Sequence, residues 1–268
     1  MKANKIILYY QTFNSLDKIL YQNTPVTHIH LSAIHFGINP DKTPYIHLND
    51  FEPYNNCFNN VWQELEQAKK LGIKIILMVG GAGGAFQNLF SNFSVYYTLL
   101  KNLILNKKII TGIDLDIEEY VDINNVKNLI KRIRNDFGKD FIITMAPVQS
   151  SLQSDIIGMG GFVYKDLFKS DVGNMIDYFN GQFYMNYSEE AYTQAINNGY
   201  PPEKIIMGMI SGEEYKNELI KTVQKYKDRF GGVFIWEYFN APNEWWEEIK
   251  NIFSNIEKDD DKNICLLS

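Results

Sequence analysis

Cysteine and histidine are scarce in this chain of 268 residues. Cys57 and Cys265 are the only cysteines, far apart in sequence and too few for a disulfide framework, which is compatible with a reducing compartment. All four histidines (His28, His30, His35 and His47) fall within the first 47 residues. The pair His28-x-His30 can share one face of a strand as metal ligands do, but later segments can add only carboxylates to it. Buried, hydrogen-bonded histidines are therefore the expectation, with no metal and no cofactor. Positive charge is also short, with 26 Lys and Arg against 32 Asp and Glu, a net charge of -6 and a pI near 5.3. Such a chain has no basic field to hold a phosphate backbone, and nucleic acid is excluded as an expected partner. No apolar run approaches the ~20 residues of a membrane span. The opening MKANKIILYYQTF passes from a short apolar stretch directly into Tyr and Gln without a small-residue cleavage site, so it reads as a first strand and not as a signal peptide. VGGAGG, at 79–84, lacks the Gly-Lys-Ser/Thr ending of a phosphate loop.

What the chain does have is 45% hydrophobic residues, 17 Tyr and 17 Phe, enough for one substantial core. Strand-like apolar runs occur at 5–10, 27–34, 73–79, 109–118, 141–147, 179–186, 204–210 and 232–237. Amphipathic stretches at 61–72, 95–106, 124–138 and 217–231 lie between several of them, and three of the four end on Gly, the residue favoured just past a helix. Alternation of this kind implies parallel strands joined by right-handed crossovers, and eight units predict an α/β fold: a single-domain (β/α)8 TIM barrel. The barrel is expected over 1–256, with an acidic, disordered tail at 257–268.

One stretch stands out. TGIDLDIEEY, residues 111–120, sets Asp114, Asp116 and Glu118 at alternate positions, with Ile113, Leu115 and Ile117 between them. Period two is the repeat of a strand, so the acids share one face and the aliphatics the other. A solvated edge strand shows the same alternation. In a barrel, however, catalytic residues sit at the carboxyl ends of strands, and Glu118 ends the fourth.

These residues resemble glycoside hydrolase family 18, the chitinases and their relatives, whose fourth barrel strand carries Asp-x-x-Asp-x-Asp-x-Glu. Here the last three acids match and Thr111 stands in place of the first. LMVGGAGG at 77–84 is similar to the family's third-strand Ser-x-Gly-Gly, with Met78 in the Ser position. ITMAPVQSSL at 143–152 resembles the fifth strand. QFYMNY at 182–187 resembles the Gln-x-Tyr-Asn element of the sixth, with Met185 inserted before Asn186, and GGVFIWEYFN at 231–240 the eighth with its Trp. The likeness is to the small single-domain members: the short link between the seventh and eighth strands leaves no room for the α+β insertion of larger ones, which implies an open groove.

The resemblance implies hydrolysis of β-1,4-linked N-acetylglucosamine polymers or oligosaccharides by substrate-assisted retaining catalysis, in which the substrate's own N-acetyl carbonyl is the nucleophile. Glu118 would be the general acid/base, Asp116 would hold the acetamido group, Asp114 would be its buried partner, and Tyr184 would face the acetamido oxygen. Trp236 would floor the sugar site. Gln182, Asn186, Met145, Gly80, Gly81 and Tyr9 are lining candidates by strand end and family position. Crowded like charges predict that at least one of the three acids holds a proton near neutrality. An endo-β-N-acetylglucosaminidase acting on N-glycan chitobiose cores and a non-catalytic, lectin-like chitin binder are the alternatives. A monomer is expected, cytoplasmic or non-conventionally released. The final Cys265-Leu266-Leu267-Ser268 fits a farnesylation pattern, which would give weak membrane anchoring through a Cys265 prenyl group in a eukaryotic-type cytosol.

Overall fold

A computed structural model describes residues 4–265, with side chains through Asn255. Eight strands pair in parallel: β1 (Lys5–Tyr10), β2 (His28–Ile38), β4 (Lys74–Gly80), β5 (Ile110–Asp116), β6 (Ile142–Met145), β7 (Tyr178–Gly181), β8 (Ile205–Ile210) and β9 (Gly232–Trp236). Pairing of β1 with both β9 and β2 closes the barrel, while β3 (Pro44–Leu48) folds back antiparallel on the far half of β2. The helices are α1 (Asn59–Lys70), α2 (Phe86–Ser91), α3 (Phe93–Asn106), α4 (Ile123–Phe137), α5 (Gln149–Gln153), α6 (Tyr164–Lys169), α7 (Glu189–Asn197), α8 (Lys216–Tyr226) and α9 (Trp245–Cys265). This is the expected (β/α)8 barrel. Between β8 and β9 the chain forms only α8 and a short 3-10 turn, so no insertion deepens that rim.

The helices pack on the barrel for reasons visible in their sequences. In α4, Val126, Leu129, Ile130 and Ile133 recur at helical spacing and are all buried. The Asp122 carboxylate accepts from the Asn124 N–H at 2.8 Å to cap its start, and Gly138 follows its end at φ 81°. Each such buried aliphatic contributes roughly 1.5–3 kcal/mol. In α7 the Ser188 hydroxyl accepts from the Ala191 N–H, and Glu189 and Glu190 sit at the positive end of the helix dipole.

The alternation in β5 divides two cores. Ile113, Leu115 and Ile117 face outward into the large apolar layer between barrel and helices. Asp114 and Asp116, also buried, belong to the other face. That face lines the barrel interior, where Ile7, Tyr9, Ala33, Met78, Tyr178, Ile206 and Phe234 pack together with Ile142, Tyr184 and Trp236 against them. Both faces of β5 are therefore covered, and the solvated-edge reading does not apply.

Four boundaries differ from expectation. β2 runs on to Ile38 because His35 to Ile38 pair with β3, a short hairpin held on α3 by the Tyr96 hydroxyl donating to Gly37 O at 3.0 Å. β5 ends at Asp116, so Glu118 follows the strand, and β7 ends at Gly181, leaving 182–187 on a turn that places Met185 at φ 64°. The helix α9 continues to Cys265, across most of the segment expected to be a tail, and Leu266 to Ser268 lie outside the described residues. The Cys265 side chain, on which prenylation would depend, is likewise outside them. Among the described residues no helix is long and apolar enough to cross a membrane.

Gly80 tests how tightly the mouth of the barrel is built. Its φ is 95°, and a Cβ there would run into the Asp116 backbone carbonyl and the Phe86 ring. Gly80→Ala is expected to cost about 2 kcal/mol or more, read as a lower urea midpoint at unchanged slope. An unchanged midpoint would show that this approach is not tight in solution.

Candidate active site

The innermost acid, Asp114, is wholly buried. A buried carboxylate is tolerated only when its oxygens are satisfied. Its Oδ2 accepts from the Tyr9 hydroxyl at 2.7 Å and from His30 Nδ1 at 3.2 Å. Its Oδ1 accepts from Thr144 Oγ1 at 2.6 Å and from Asn180 Nδ2 at 3.1 Å. Burial pushes such a group up, but the neighbouring His30 and the hydrogen bonds from His30, Thr144 and Tyr9 outweigh it and hold Asp114 below the usual carboxylate range. Four strands besides its own thus supply its donors. From sequence Tyr9 is a lining candidate and His30 a buried, hydrogen-bonded histidine of unnamed partner, whereas Thr144 and Asn180 are not singled out. The signal was present in principle, since Thr144 lies directly opposite Asp114 in the β5–β6 register and a buried charge calls for polar residues at its level.

Asp116, one step nearer the mouth, is buried without comparable support. Burial first, then the charges of Glu118 and Asp114, push it well above the ordinary carboxylate value. Its surroundings therefore favour the protonated form, and the crowding argument points to this residue. Gln182 Nε2 donates to Ala146 O at 2.9 Å and stands 3.4 Å from Asp116 Oδ1 and 3.5 Å from Glu118 Oε1. Glu118 is half-buried, so of the three acids it is the one with surface to offer a ligand.

Tyr184 lies on the turn after β7, its ring edge-on to Phe234 at 6.2 Å. Burial and the charges of Asp116, Glu118 and Asp114 push its hydroxyl well above the usual tyrosine value, so it stays a proton donor. Trp236 ends β9, half-buried, with its ring 5.4 Å from that of Tyr9. Gly81 donates its N–H to the Asp116 carbonyl at 2.8 Å, and a Cβ on it would stand 3.3 Å from Asp116 Oδ2, so Gly80 and Gly81 make room for the acid and do not themselves line a groove.

Two lining candidates are not brought to the acids. Met145 has no exposed surface and belongs to the outer apolar layer, because Thr144 takes the inward position on β6 and the next residue must face out. Asn186 is exposed beyond the end of β7, where it accepts from the Ser188 hydroxyl at 2.9 Å. Tyr9 is buried as a donor to Asp114 and presents no lining surface.

Thr111 has a different task from the acid it replaces. Its hydroxyl accepts from Ile75 N and donates to Ile75 O, both at 3.2 Å, at the point where the β4–β5 register shifts. It satisfies backbone at the foot of the barrel and makes no contact with Asp114. A further buried acid, Glu237, accepts from the Thr12 hydroxyl at 3.0 Å and from Gln11 N at 3.4 Å. His28 bonds Thr27 Oγ1 at 2.8 Å while His30 bonds Asp114, and among the described residues no cluster of His, Cys, Asp and Glu is arranged to hold a metal ion.

Comparison with known proteins gives the family. Residues 5–219 match the glycosyl hydrolases family 18. A fungal endo-β-N-acetylglucosaminidase of that family is 32% identical, with a TM-score of 0.81 over 92% of this chain and 97% of that one. A chitinase from Aspergillus fumigatus is 29% identical, with a TM-score of 0.81 over 94% of this chain and 99% of that one. Endochitinase A of Emericella nidulans is 24% identical over 71% of this chain, which spans only 23% of that relative's length. The barrel, the acid-bearing strand and the match over most of the chain agree: this protein belongs to glycosyl hydrolase family 18.

Proposed function

We propose that the protein hydrolyses β-1,4-linked N-acetylglucosamine chains with retention, using Glu118 as general acid/base and the substrate's acetamido group as nucleophile. The observation that carries this reading is the unequal exposure of the three acids. A retaining enzyme with its own nucleophile needs a second carboxylate that can reach the anomeric carbon. Asp114 and Asp116 are buried, and the surroundings of Asp116 favour its protonated form, so neither is suited to attack. A nucleophile carried by the substrate removes the need. Asp116 then has a positioning part: it can accept from the acetamido N–H once its proton is passed toward Glu118. Tyr184 is a persistent donor beside the acids, suited to the acetamido oxygen as negative charge gathers there.

Exposure at the rim supports a flat, open groove. Tyr120, two residues after Glu118, is 74% exposed, and Met185, next to Tyr184, is 86% exposed. Apolar side chains held out at the mouth suit the flat faces of sugar rings. The similarity to a protein named as an endo-β-N-acetylglucosaminidase favours the chitobiose core of N-glycans as a second substrate, cut by the same chemistry.

Proton NMR of the product as it forms tests the mechanism. The new reducing end is expected to appear first as the β-anomer and then to mutarotate. An initial α-anomer would mean inversion and would remove substrate assistance from the account.

A further inference from the structure

We propose that His30 is a positioning residue: by donating Nδ1–H to Asp114 it holds that carboxylate ionised, and so places the proton of the acid cluster on Asp116, next to Glu118. The kinetic consequence rests on the hydrolase reading above, whereas the proton's location does not.

The geometry restricts what His30 can be doing. An ionised carboxylate only accepts hydrogen bonds, so with Asp114 ionised the His30 nitrogen 3.2 Å from its Oδ2 is the one that carries the hydrogen. The residue opposite Asp114 on β4 is Met78, which has no donor, and the donor from that side comes instead from β2, one strand further round. His30 is fully buried and its ring lies 4.8 Å from that of Tyr9, the other donor to Oδ2.

The surroundings leave the carboxylates as the partners that respond to it. Tyr9 on β1, Tyr178 on β7, Tyr184 just beyond it and Tyr164 on α6 are all pushed above the usual tyrosine value by burial and then by acid charges, and stay neutral. His28, two residues back on β2, is held well below its ordinary value by burial, by His30 and by Lys5 and Lys74 at the foot of the barrel. Thr144 and Asn180 do not ionise, and β8 and β9 present Ile206 and Phe234. Removing the His30 donor thus acts on Asp114, and through it on Asp116 and Glu118. Asp114 gains proton affinity, its charge beside Asp116 is partly lost, and Asp116 releases its proton at lower pH.

Carbon NMR of protein labelled at the aspartate carboxyls, with Asp114→Asn and Asp116→Asn used for assignment, reads this directly. His30→Phe keeps the ring against Tyr9 and removes the donor, and His30→Asn keeps an N–H near the Nδ1 position. In His30→Phe the Asp116 midpoint is expected to fall by about one pH unit, and the alkaline limb of kcat/KM to fall with it. In His30→Asn both are expected to stay near the parent values. A purely structural role would lower kcat at every pH without moving the limb. An unchanged Asp116 midpoint in His30→Phe, or equal shifts in both variants, would overturn the proposal. So would a nitrogen spectrum of the unaltered protein showing Nδ1 of His30 without a proton, a result that needs no variant to fold. Should the parent cleave no glycan at all, the hydrolase reading fails while the titrations still decide the role of His30.

Discussion

Glu118→Gln is expected to lower kcat on chito-oligosaccharides by roughly 10²–10⁴-fold, the usual contribution of a positioned proton donor, while leaving their affinity within a few-fold. The substitution keeps the size of the side chain and an oxygen that the Gln182 amide can approach, so the mouth of the barrel keeps its shape. What is lost on the proposed mechanism is the proton for the departing oxygen. Asp116 cannot take over, because it is buried behind the mouth, where only 6% of its surface is exposed. Calorimetric titration with an oligosaccharide and steady-state rates on the same preparation separate the two effects. Loss of binding together with rate would show that Glu118 holds the ground state and not the transition state.

Asp116→Asn has the second largest expected effect, a fall in kcat of roughly 10²-fold, because an amide cannot pass a proton toward Glu118 or become the anion that holds the acetamido N–H. Its effect on stability has the opposite sign. A carboxyl whose folded value lies above its unfolded one favours the folded state fully below the unfolded value, and that contribution is lost as pH rises through the folded value. Asn, which does not titrate, is free of that loss. The variant is therefore expected to match the parent in acid and to become progressively more stable than it above the ordinary carboxylate range. Asp114 behaves in the reverse manner: its depressed value adds stability above the unfolded value, which is lost as pH falls through the folded one. Denaturant midpoints across pH for Asp116→Asn check the sign. A parent that instead gains stability over the variant as pH rises would mean that the folded value of Asp116 lies below its unfolded one.

The barrel was legible because parallel strands covered on both faces read as apolar runs, and all eight runs became strands. Parity and depth were harder to read. Met145 lies near a strand end and so reads as a mouth residue, but the register of Thr144 opposite Asp114 fixes it facing outward. Asn186 was carried along a strand that stops at Gly181, after which hydrogen bonds from Phe183 N to Gly181 O and from Asn186 N to Phe183 O make a turn. His30 sits in an apolar run, HIHLSAI, where a histidine bonded to a distant acid looks the same as one bonded to its own backbone. Its partner is 84 residues away and is brought near only by closure of the barrel. The hairpin strand β3 was missed because PYIHL is short and opens on proline. By contrast, the three acids announced themselves, since on a buried strand nothing but chemistry or a matching set of donors explains charge at alternate positions.

On the proposed function, Glu118 and its two buried neighbours form a hydrolytic centre for N-acetylglucosamine linkages. Mass spectrometry of products after incubation with chitohexaose, with Glu118→Gln in parallel, tests it most directly. Shorter chito-oligosaccharides are expected from the parent and intact hexaose from the variant. Equal cleavage by both would contradict the assignment of the acid, and intact hexaose bound by both would contradict chitinase activity and leave a chain that only binds it.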